Sequence, residues 1–153
     1  MNREVRKAEK ADFEAVRNIM NQVQEMHVEW RPDIYKSNES LISEEIFDLM
    51  CKSGNLYVAE ADGKVVGVLE IDYKHIESPA HVTRDVIFIV SMAVEASYRG
   101  QGIGHLFFEK VKELKTIAGA DAIELQVNAK NRAAYEMYKK CGFTEKSINM
   151  ELK

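Results

Sequence analysis

The segment that most constrains this fold is residues 86–118, where a strand, a glycine-rich turn and a helix follow one another. Residues 86–94 are apolar and β-branched, which is typical of a buried strand. The turn Arg99-Gly-Gln-Gly-Ile-Gly104 comes next, and residues 105–118 have the apolar spacing of an amphipathic helix. A strand, a glycine turn and a helix start bring backbone N–H groups together, and such groups bind anions. The segment therefore predicts an α/β layer domain that binds a phosphate or pyrophosphate.

The remaining chain predicts further elements of the same domain. Strands are expected at residues 3–8, 55–61, 65–73, 122–127 and 143–152, and helices are expected from Phe13 (capped by Asp12), from Ser43 to Gly54, and over residues 131–141. The stretch 75–84 contains Pro79 and predicts a loop. The order is β-α-α-β-β-β-α-β-α-β around a mixed sheet. Because no internal repeat, low-complexity tract or linker interrupts this order, residues 1–153 are expected to form one domain.

Composition excludes several classes of partner. The formal net charge of −4 over 153 residues provides no basic field for nucleic acid. No apolar run approaches the length of a membrane span, and the first residues lack the apolar core of a signal peptide, so a cytoplasmic protein is expected. Cys51 and Cys141 belong to no Cys/His cluster, so no metal site is expected.

The glycine turn by itself leaves its ligand open. It is not a Walker A loop, because no Gly-Lys-Ser/Thr follows. It is not a dinucleotide fingerprint, because its third glycine comes one residue early and His105 stands in the expected place. Turn chemistry without a ligand would also explain three alternating glycines.

Two blocks of sequence, the first of which contains this turn, indicate a family. The turn fits an Arg/Gln-x-x-Gly-x-Gly/Ala signature, preceded by Met92-Ala-Val94. Downstream, the second block reads Leu125-x-Val127-x3-Asn131-x2-Ala134-x3-Tyr138-x3-Gly142-Phe143. With both blocks in this order, nearly the whole chain resembles the GNAT superfamily of acyl-CoA N-acyltransferases. The resemblance implies a mixed, mostly antiparallel central sheet with helices on both faces.

The resemblance also implies how the co-substrate acetyl-CoA is held. The backbone N–H groups of the turn would bind the pyrophosphate, and these belong to Arg99, Gly100, Gln101, Gly102, Ile103 and Gly104. The backbone of Met92, Ala93 and Val94 would meet the pantetheine and the thioester carbonyl. Asn131 matches a cofactor contact and also suits a helix N-cap. The Arg99 side chain either adds charge at the phosphates or is solvated.

The same resemblance assigns catalytic roles. Tyr138 matches a tyrosine that acts as general acid on the leaving thiolate, although it also suits a core position, and Tyr135 lies one turn away. The glutamates that serve as base in relatives are replaced by Phe88 and Gln126. An ordered water, or one of the side chains Glu70, Glu29 and His27, would then relay the proton. Glu70 is favoured because its strand pairs beside the cofactor strand.

The segment between the first two helices is expected to form one wall of the acceptor site. It contains Glu29, Trp30, Asp33 and Tyr35, and acidic and aromatic side chains together bind cationic amines. The alternative is that Trp30 and Tyr35 only fix a helix–loop junction.

The expected function is transfer of an acetyl group from acetyl-CoA to a primary amine of a small molecule or peptide, by direct attack in a ternary complex. Three alternatives remain: a longer acyl-CoA donor, a CoA-binding sensor or interaction module without strong catalysis, and a mononucleotide-binding regulator. The last leaves the second sequence block unexplained. The last predicted strand, residues 143–152, is a candidate homodimer contact.

Overall fold

The computed structural model describes residues 2–153 and contains a central sheet with helices on both faces. In chain order the elements are β1 (Arg3–Lys7), α1 (Phe13–Trp30), α2 (Glu44–Ser53), β2 (Leu56–Ala61), β3 (Lys64–Ser78), β4 (His81–Val94), α3 (Ile103–Ala118), β5 (Ala122–Leu125) and α4 (Arg132–Lys140). The five strands lie in the order β1-β2-β3-β4-β5. Every neighbouring pair is antiparallel except β4 and β5, which are parallel. The mixed, mostly antiparallel sheet predicted from the sequence is confirmed.

Each face of the sheet carries its own apolar core. On one face, α1 and α2 contribute Val16, Ile19 and Phe47, which pack against Val58 and Val68 of the sheet. On the other face, α3 packs against the opposite side chains of the same strands, with Ile103, Phe107, Phe108 and Val111 buried. Gly67 of β3 allows this close contact, because a Cβ there would lie 2.8 Å from Cε2 of Phe107.

Local signals account for most element boundaries. The Ser43 hydroxyl accepts a hydrogen bond from the N–H of Ile46 at 3.2 Å and caps α2, which ends at the left-handed Gly54. Helix α1 begins at Phe13 as predicted, but Asp12 does not cap it with its side chain. The Asp12 carboxylate instead accepts hydrogen bonds from the Arg6 guanidinium and from the N–H of Glu9.

The loop predicted over residues 75–84 is wrong. These residues continue β3 to Ser78 and begin β4 at His81, so the two strands form one long hairpin. Pro79 lies in the tight turn at its tip, where Ser78 pairs with His81. Proline is well suited to a turn because its φ is fixed, and it therefore interrupts neither strand.

The strand predicted over residues 143–152 is also absent from the described chain. No ladder pairing is formed there, and residues 144–153 are all exposed. The apolar alternation is present, but a strand also needs ladder hydrogen bonds, and none joins these residues to the free edge of β5 or to another strand of the described chain. Within residues 2–153, no helix combines the length and the apolar character that crossing a membrane requires.

Candidate active site

The sheet opens between β4 and β5 beside the glycine turn. The parallel ladder runs from the pair Val86–Ala122 to the pair Ile89–Leu125 and ends there, two residues short of the predicted end of β5. β4 continues to Val94 and remains paired with β3 on its other side. The β4 edge from Val90 to Val94 therefore has no strand beside it in the described chain. The backbone of Met92, Ala93 and Val94 lies along this opening, where an extended ligand can pair with it.

The turn after β4 presents a row of unpaired backbone donors. Gly100 and Gly102 have φ values of 76° and 88°, a region that glycine adopts at little cost. The first amide of α3 to find a helical acceptor is that of Leu106, which donates to the Gly102 carbonyl at 3.2 Å. The N–H groups of residues 100–105 have no acceptor in the described chain. Six such donors at the N-terminus of a 16-residue helix form a site for an anion, so these residues fit a pyrophosphate.

Two arginines hold this turn. The Arg3 guanidinium donates a short hydrogen bond to the Gln101 carbonyl and lies 3.4 Å from where a Cβ on Gly102 would stand. The Arg99 Nε donates to the Val94 carbonyl at 3.1 Å, which ties the turn to the end of β4. The contact of Arg3 is not predictable from the sequence, because the neighbours of Arg3 give no sign that β1 lies beside a turn nearly a hundred residues later.

Helix α4 packs directly on the first turn of α3. A Cβ on Gly104 would lie 3.3 Å from Sδ of Met137, so Gly104 permits this contact. Asn131 is the N-cap of α4, as predicted, and its Oδ1 accepts from the N–H of Ala134 at 3.2 Å. The packing brings Tyr138, the residue after Met137, to the same side of the sheet as the turn.

Tyr138 has a half-buried ring and a free hydroxyl. Its ring meets Phe108 edge-on at 5.7 Å and lies 5.9 Å from Phe143, while the hydroxyl has no hydrogen-bond partner in residues 2–153. Burial raises the pKa of Tyr138 above its ordinary value, so the phenol stays protonated at neutral pH. Tyr135 differs, because its hydroxyl donates to the Glu145 carboxylate. Tyr138 is therefore the phenol of α4 that can give its proton to a ligand.

Glu70 lies on β3 opposite Ser91 of β4, next to an irregularity in the ladder. It is half-buried, and burial, followed by the negative charge of Asp72, raises the pKa of its carboxyl group. Phe88, at one of the two positions where relatives carry a glutamate, lies under the Lys74 ammonium at 4.0 Å. Gln126, at the other position, is exposed.

The predicted acceptor wall forms an aromatic group at the end of α1. The His27 ring lies 4.7 Å from the Tyr35 ring and 5.5 Å from the Trp30 ring. Burial lowers the pKa of His27, and its Nδ1 has no hydrogen-bond partner in the described chain. Lys130, just beyond β5, donates to the Trp30 carbonyl at 3.0 Å. The wall therefore stands beside the segment that follows β5.

The charge of this wall differs from what its sequence suggests. Asp33 is bound by Arg31 at 2.7 Å and by Lys153 at 2.8 Å, and these two cations hold the pKa of its carboxyl group far below the ordinary range. Glu29 is exposed and has no ionic or hydrogen-bonded partner within residues 2–153. Of the two predicted acidic groups, only Glu29 is available to an amine.

A separate cavity of about 480 Å³ lies between α1 and the turn that joins β2 to β3. Its lining includes Arg6, which forms ion pairs with both Asp12 and Glu60, at 2.8 and 3.3 Å. Neither Tyr138 nor Glu70 lines it. Across residues 2–153, no group of three or more His, Cys, Asp and Glu side chains is placed to hold a metal ion.

This chain is similar to known proteins in both sequence and fold. Residues 20–143 match the model of the acetyltransferase (GNAT) family. An uncharacterized N-acetyltransferase of Methanocaldococcus jannaschii is 35% identical over 92 residues, which is 60% of this chain and 40% of that protein. A crystal structure of a mutant of the BH1408 protein from Bacillus halodurans superimposes with a TM-score of 0.88 at 29% identity, covering 98% of each chain. AAC(6')-Iy in complex with the bisubstrate analog CoA-S-monomethyl-acetylneamine shares the fold, with a TM-score of 0.74 at 16% identity over 100% of this chain and 98% of that one.

Residues 20–143 match an acetyltransferase domain in sequence, and the fold agrees with that of the solved neighbours. The chain belongs to the acetyltransferase (GNAT) family. The matched region spans less than half the length of the Methanocaldococcus relative.

Proposed function

We propose that this protein transfers the acetyl group of acetyl-CoA to a primary amine of a small molecule or peptide, in a ternary complex of enzyme and both substrates. The observation that carries the proposal is the row of unpaired N–H groups at residues 100–105 beside the open β4 edge. The row suits the pyrophosphate, and the edge suits the extended pantetheine arm that leads to the thioester.

The donor side binds mainly through backbone atoms. The N–H groups of the turn residues Gly100, Gln101, Gly102, Ile103 and Gly104 bind the pyrophosphate, while Asn131 contacts the donor from the start of α4. Arg99 acts through its guanidinium charge, because its N–H donates to the Ala96 carbonyl at 3.4 Å. Met92, Ala93 and Val94 orient the pantetheine, and a backbone N–H of this edge polarises the thioester carbonyl as a one-sided oxyanion hole. The positive end of α3 adds to the attraction, and Arg3 contributes a nearby cation.

Tyr138 acts as the general acid. In the reaction the amine nitrogen forms a bond to the carbonyl carbon, the carbon–sulfur bond breaks, and the departing thiolate takes a proton. The Tyr138 hydroxyl supplies that proton, since it is protonated at neutral pH and has no competing acceptor in the described chain. Its ring is fixed between Phe108 and Phe143, so little ordering is needed when the substrates bind.

Glu70 removes the proton from the amine, directly or through a water. Its raised pKa makes it a stronger base than an exposed glutamate, and it lies beside the β4 strand that orients the donor. Glu29, Trp30 and Tyr35 form the acceptor wall, where one free carboxylate and two aromatic rings favour a cationic amine.

The decisive experiment compares Tyr138→Phe with Tyr135→Phe in a thiol-release assay with acetyl-CoA and a panel of amines. The first change removes a hydroxyl without a protein partner, so kcat is expected to fall about 100-fold or more while CoA affinity and folding stability stay unchanged. The control removes a hydroxyl bonded to Glu145 and is expected to keep near-normal kcat.

Three other results of this assay would change the proposal. Equal turnover in wild type and Tyr138→Phe would remove Tyr138 from the acid role. Binding of CoA without acetylation of any amine in the panel would support the alternative of a CoA-binding sensor. No binding of any CoA species would reject the proposal as a whole.

A further inference from the structure

The cavity between α1 and the turn from β2 to β3 has no part in the proposed transfer reaction. None of the residues proposed to hold the donor or the acceptor lines it. Its volume of about 480 Å³ lies within the roughly 300–1,000 Å³ of small-molecule sites in proteins. Ala11 and Ala15 are part of its lining, and their short side chains leave space on that side. The cavity therefore has room for a small molecule that the transfer reaction does not require.

Three of the five charged side chains that line this cavity are already paired with one another. The Arg6 guanidinium donates to the Asp12 carboxylate at 2.8 and 3.0 Å and to Glu60 at 3.3 Å. Asp12 is buried and also accepts from the N–H of Glu9 at 2.8 Å. Because these contacts use both oxygens of Asp12 and most of the guanidinium, the three side chains form a fixed part of the wall.

The other two charged side chains, Lys64 and Glu95, have no ionic partner in the described chain. The Lys64 ammonium lies 5.6 Å from the centroid of the Tyr98 ring and donates no hydrogen bond within residues 2–153. Oε2 of Glu95 accepts from the N–H of Ser97 at 2.8 Å, whereas Oε1 has only a long contact of 3.5 Å with Nε2 of Gln22. Hydrogen bonds from Ser97, together with the charge of Lys64, hold the pKa of Glu95 below its ordinary value, so this carboxylate stays ionised.

We propose that this cavity binds an α-amino acid with a small apolar side chain. Its ammonium would pair with Glu95 and its carboxylate with Lys64, while the Asn18 amide, which has no partner among the described residues, would also bond to that carboxylate. The apolar side chain of the ligand would lie against Ala15 and Ile19. A ligand with a single charge would leave either Lys64 or Glu95 without a counter-charge, so the cavity favours a zwitterion.

The cavity is also connected to the glycine turn. Oε1 of Gln22 accepts from the N–H of Ala96 at 3.1 Å, and Glu95 holds Ser97, so two lining residues fix the backbone just before the turn. A ligand paired with Glu95 in this arrangement would stabilise it. The bound amino acid is therefore expected to lower the Kd for CoA about 3- to 10-fold, and CoA should lower the Kd for the amino acid by the same factor. This coupling rests on the proposed function, whereas binding of the amino acid does not.

The test uses L-norvaline as the probe, with butylamine and pentanoate as matched compounds. Butylamine is norvaline without the carboxylate, and pentanoate is norvaline without the ammonium. Calorimetry is expected to give a Kd for norvaline of about 1 mM or lower, and at least about tenfold weaker binding for the other two. Amide shifts in nuclear magnetic resonance should move in residues 60–65 and 95–98, which line or adjoin the cavity.

Two variants change the cavity without touching the residues proposed for transfer. Lys64→Met removes the cation and is expected to weaken norvaline binding at least about tenfold, while Lys64→Arg should retain most of the affinity. Ala15→Phe fills the cavity and should abolish binding. The controls are Lys52→Met and Ala118→Phe, which change exposed residues outside the cavity lining and should bind norvaline as wild type does. Circular dichroism and urea unfolding establish that each variant is folded.

Several results would overturn the proposal. These are no binding of norvaline up to about 20 mM, equal binding of butylamine or pentanoate, and norvaline binding that folded Lys64→Met and Ala15→Phe leave unchanged. Amide shifts confined to residues 27–35 would place the amino acid at the acceptor wall and would also reject this site. Binding in the cavity with no change in the Kd for CoA would support the site and refute its coupling to the turn. A protein that binds norvaline but no CoA would refute the proposed function and leave the amino-acid site supported.

Discussion

A single charge placed in the glycine turn tests whether that turn binds the donor. Gly102→Glu puts a carboxylate among the unpaired N–H groups of residues 100–105, where the phosphate would bind. Two unit charges separated by about 5 Å would repel by about 3 kcal/mol at an effective dielectric constant of about 20, and the pyrophosphate carries more than one charge. Partial pairing of the new carboxylate with Arg3 would reduce the repulsion. The expected result is a rise of at least 100-fold in the Kd for CoA, which corresponds to about 2.7 kcal/mol.

Backbone strain has to be separated from charge, because Gly102 has a φ of 88° and any side chain there costs about 1–2 kcal/mol of folding stability. Gly119→Glu is the matched control, because Gly119 has a φ of 66° and no atom within 4 Å of an added Cβ, and it lies at the opposite end of the 16-residue helix α3 from the turn. Gly102→Ala adds the strain without the charge. The three Kd values, measured by calorimetry at two salt concentrations, with urea unfolding alongside, separate the two effects.

The expected ranking is a large loss of CoA affinity for Gly102→Glu, a loss under tenfold for Gly102→Ala, and none for Gly119→Glu. The loss should shrink at high salt, because screening weakens charge repulsion. Normal affinity in Gly102→Glu would refute the assignment of the turn to the pyrophosphate. An equal loss in Gly102→Ala and Gly102→Glu would show that turn geometry, and not anion binding, controls affinity.

Two further predictions concern the sheet. Because burial raises the pKa of Glu70, the folded state holds its proton more tightly than the unfolded state does, and wild-type stability should decline as pH rises through that raised pKa. Urea unfolding at several pH values is therefore expected to show that Glu70→Gln becomes more stable relative to wild type as the pH rises toward neutral. The turnover of this variant should fall. Parallel curves of stability against pH for the two proteins would contradict the raised pKa. Gly67→Ala would place a Cβ 2.8 Å from the buried Phe107 ring and is expected to cost about 1–3 kcal/mol in urea unfolding, whereas a neutral result would show that Phe107 can move aside.

The strand, the glycine turn and the helix start could be predicted from sequence because they are neighbours in the chain. Residues 86–118 contain all three, and the unpaired groups of the turn are backbone atoms that any sequence with suitable glycines supplies. Arg3 could not be predicted in the same way. It reaches Gln101 only because β1 pairs with β2 at its edge of the sheet, and that pairing depends on long-range contacts.

The two errors in secondary structure have a common physical origin. In residues 75–84, Pro79 correctly indicates a turn, but the flanking strands are stabilised by ladder hydrogen bonds between β3 and β4 that no local pattern reveals. In residues 144–153, the alternation predicts a strand, but no backbone hydrogen bonds join these residues to a neighbouring strand of the described chain. Strand formation is decided by the partner as much as by the sequence of the strand itself.

The charge of the proposed acceptor wall is harder to predict from sequence than the backbone geometry of the glycine turn. Glu29 and Asp33 look equivalent in the sequence, yet Arg31 and Lys153 neutralise Asp33 and leave Glu29 free. Lys153 and Glu151 belong to the segment 144–153, so the contacts that position this segment also set the charge beside Trp30 and Tyr35. The negative charge that this wall would offer to an amine therefore depends on ion pairs between distant parts of the chain. The residue types of the wall alone suggest two available carboxylates, but only one of them is unpaired.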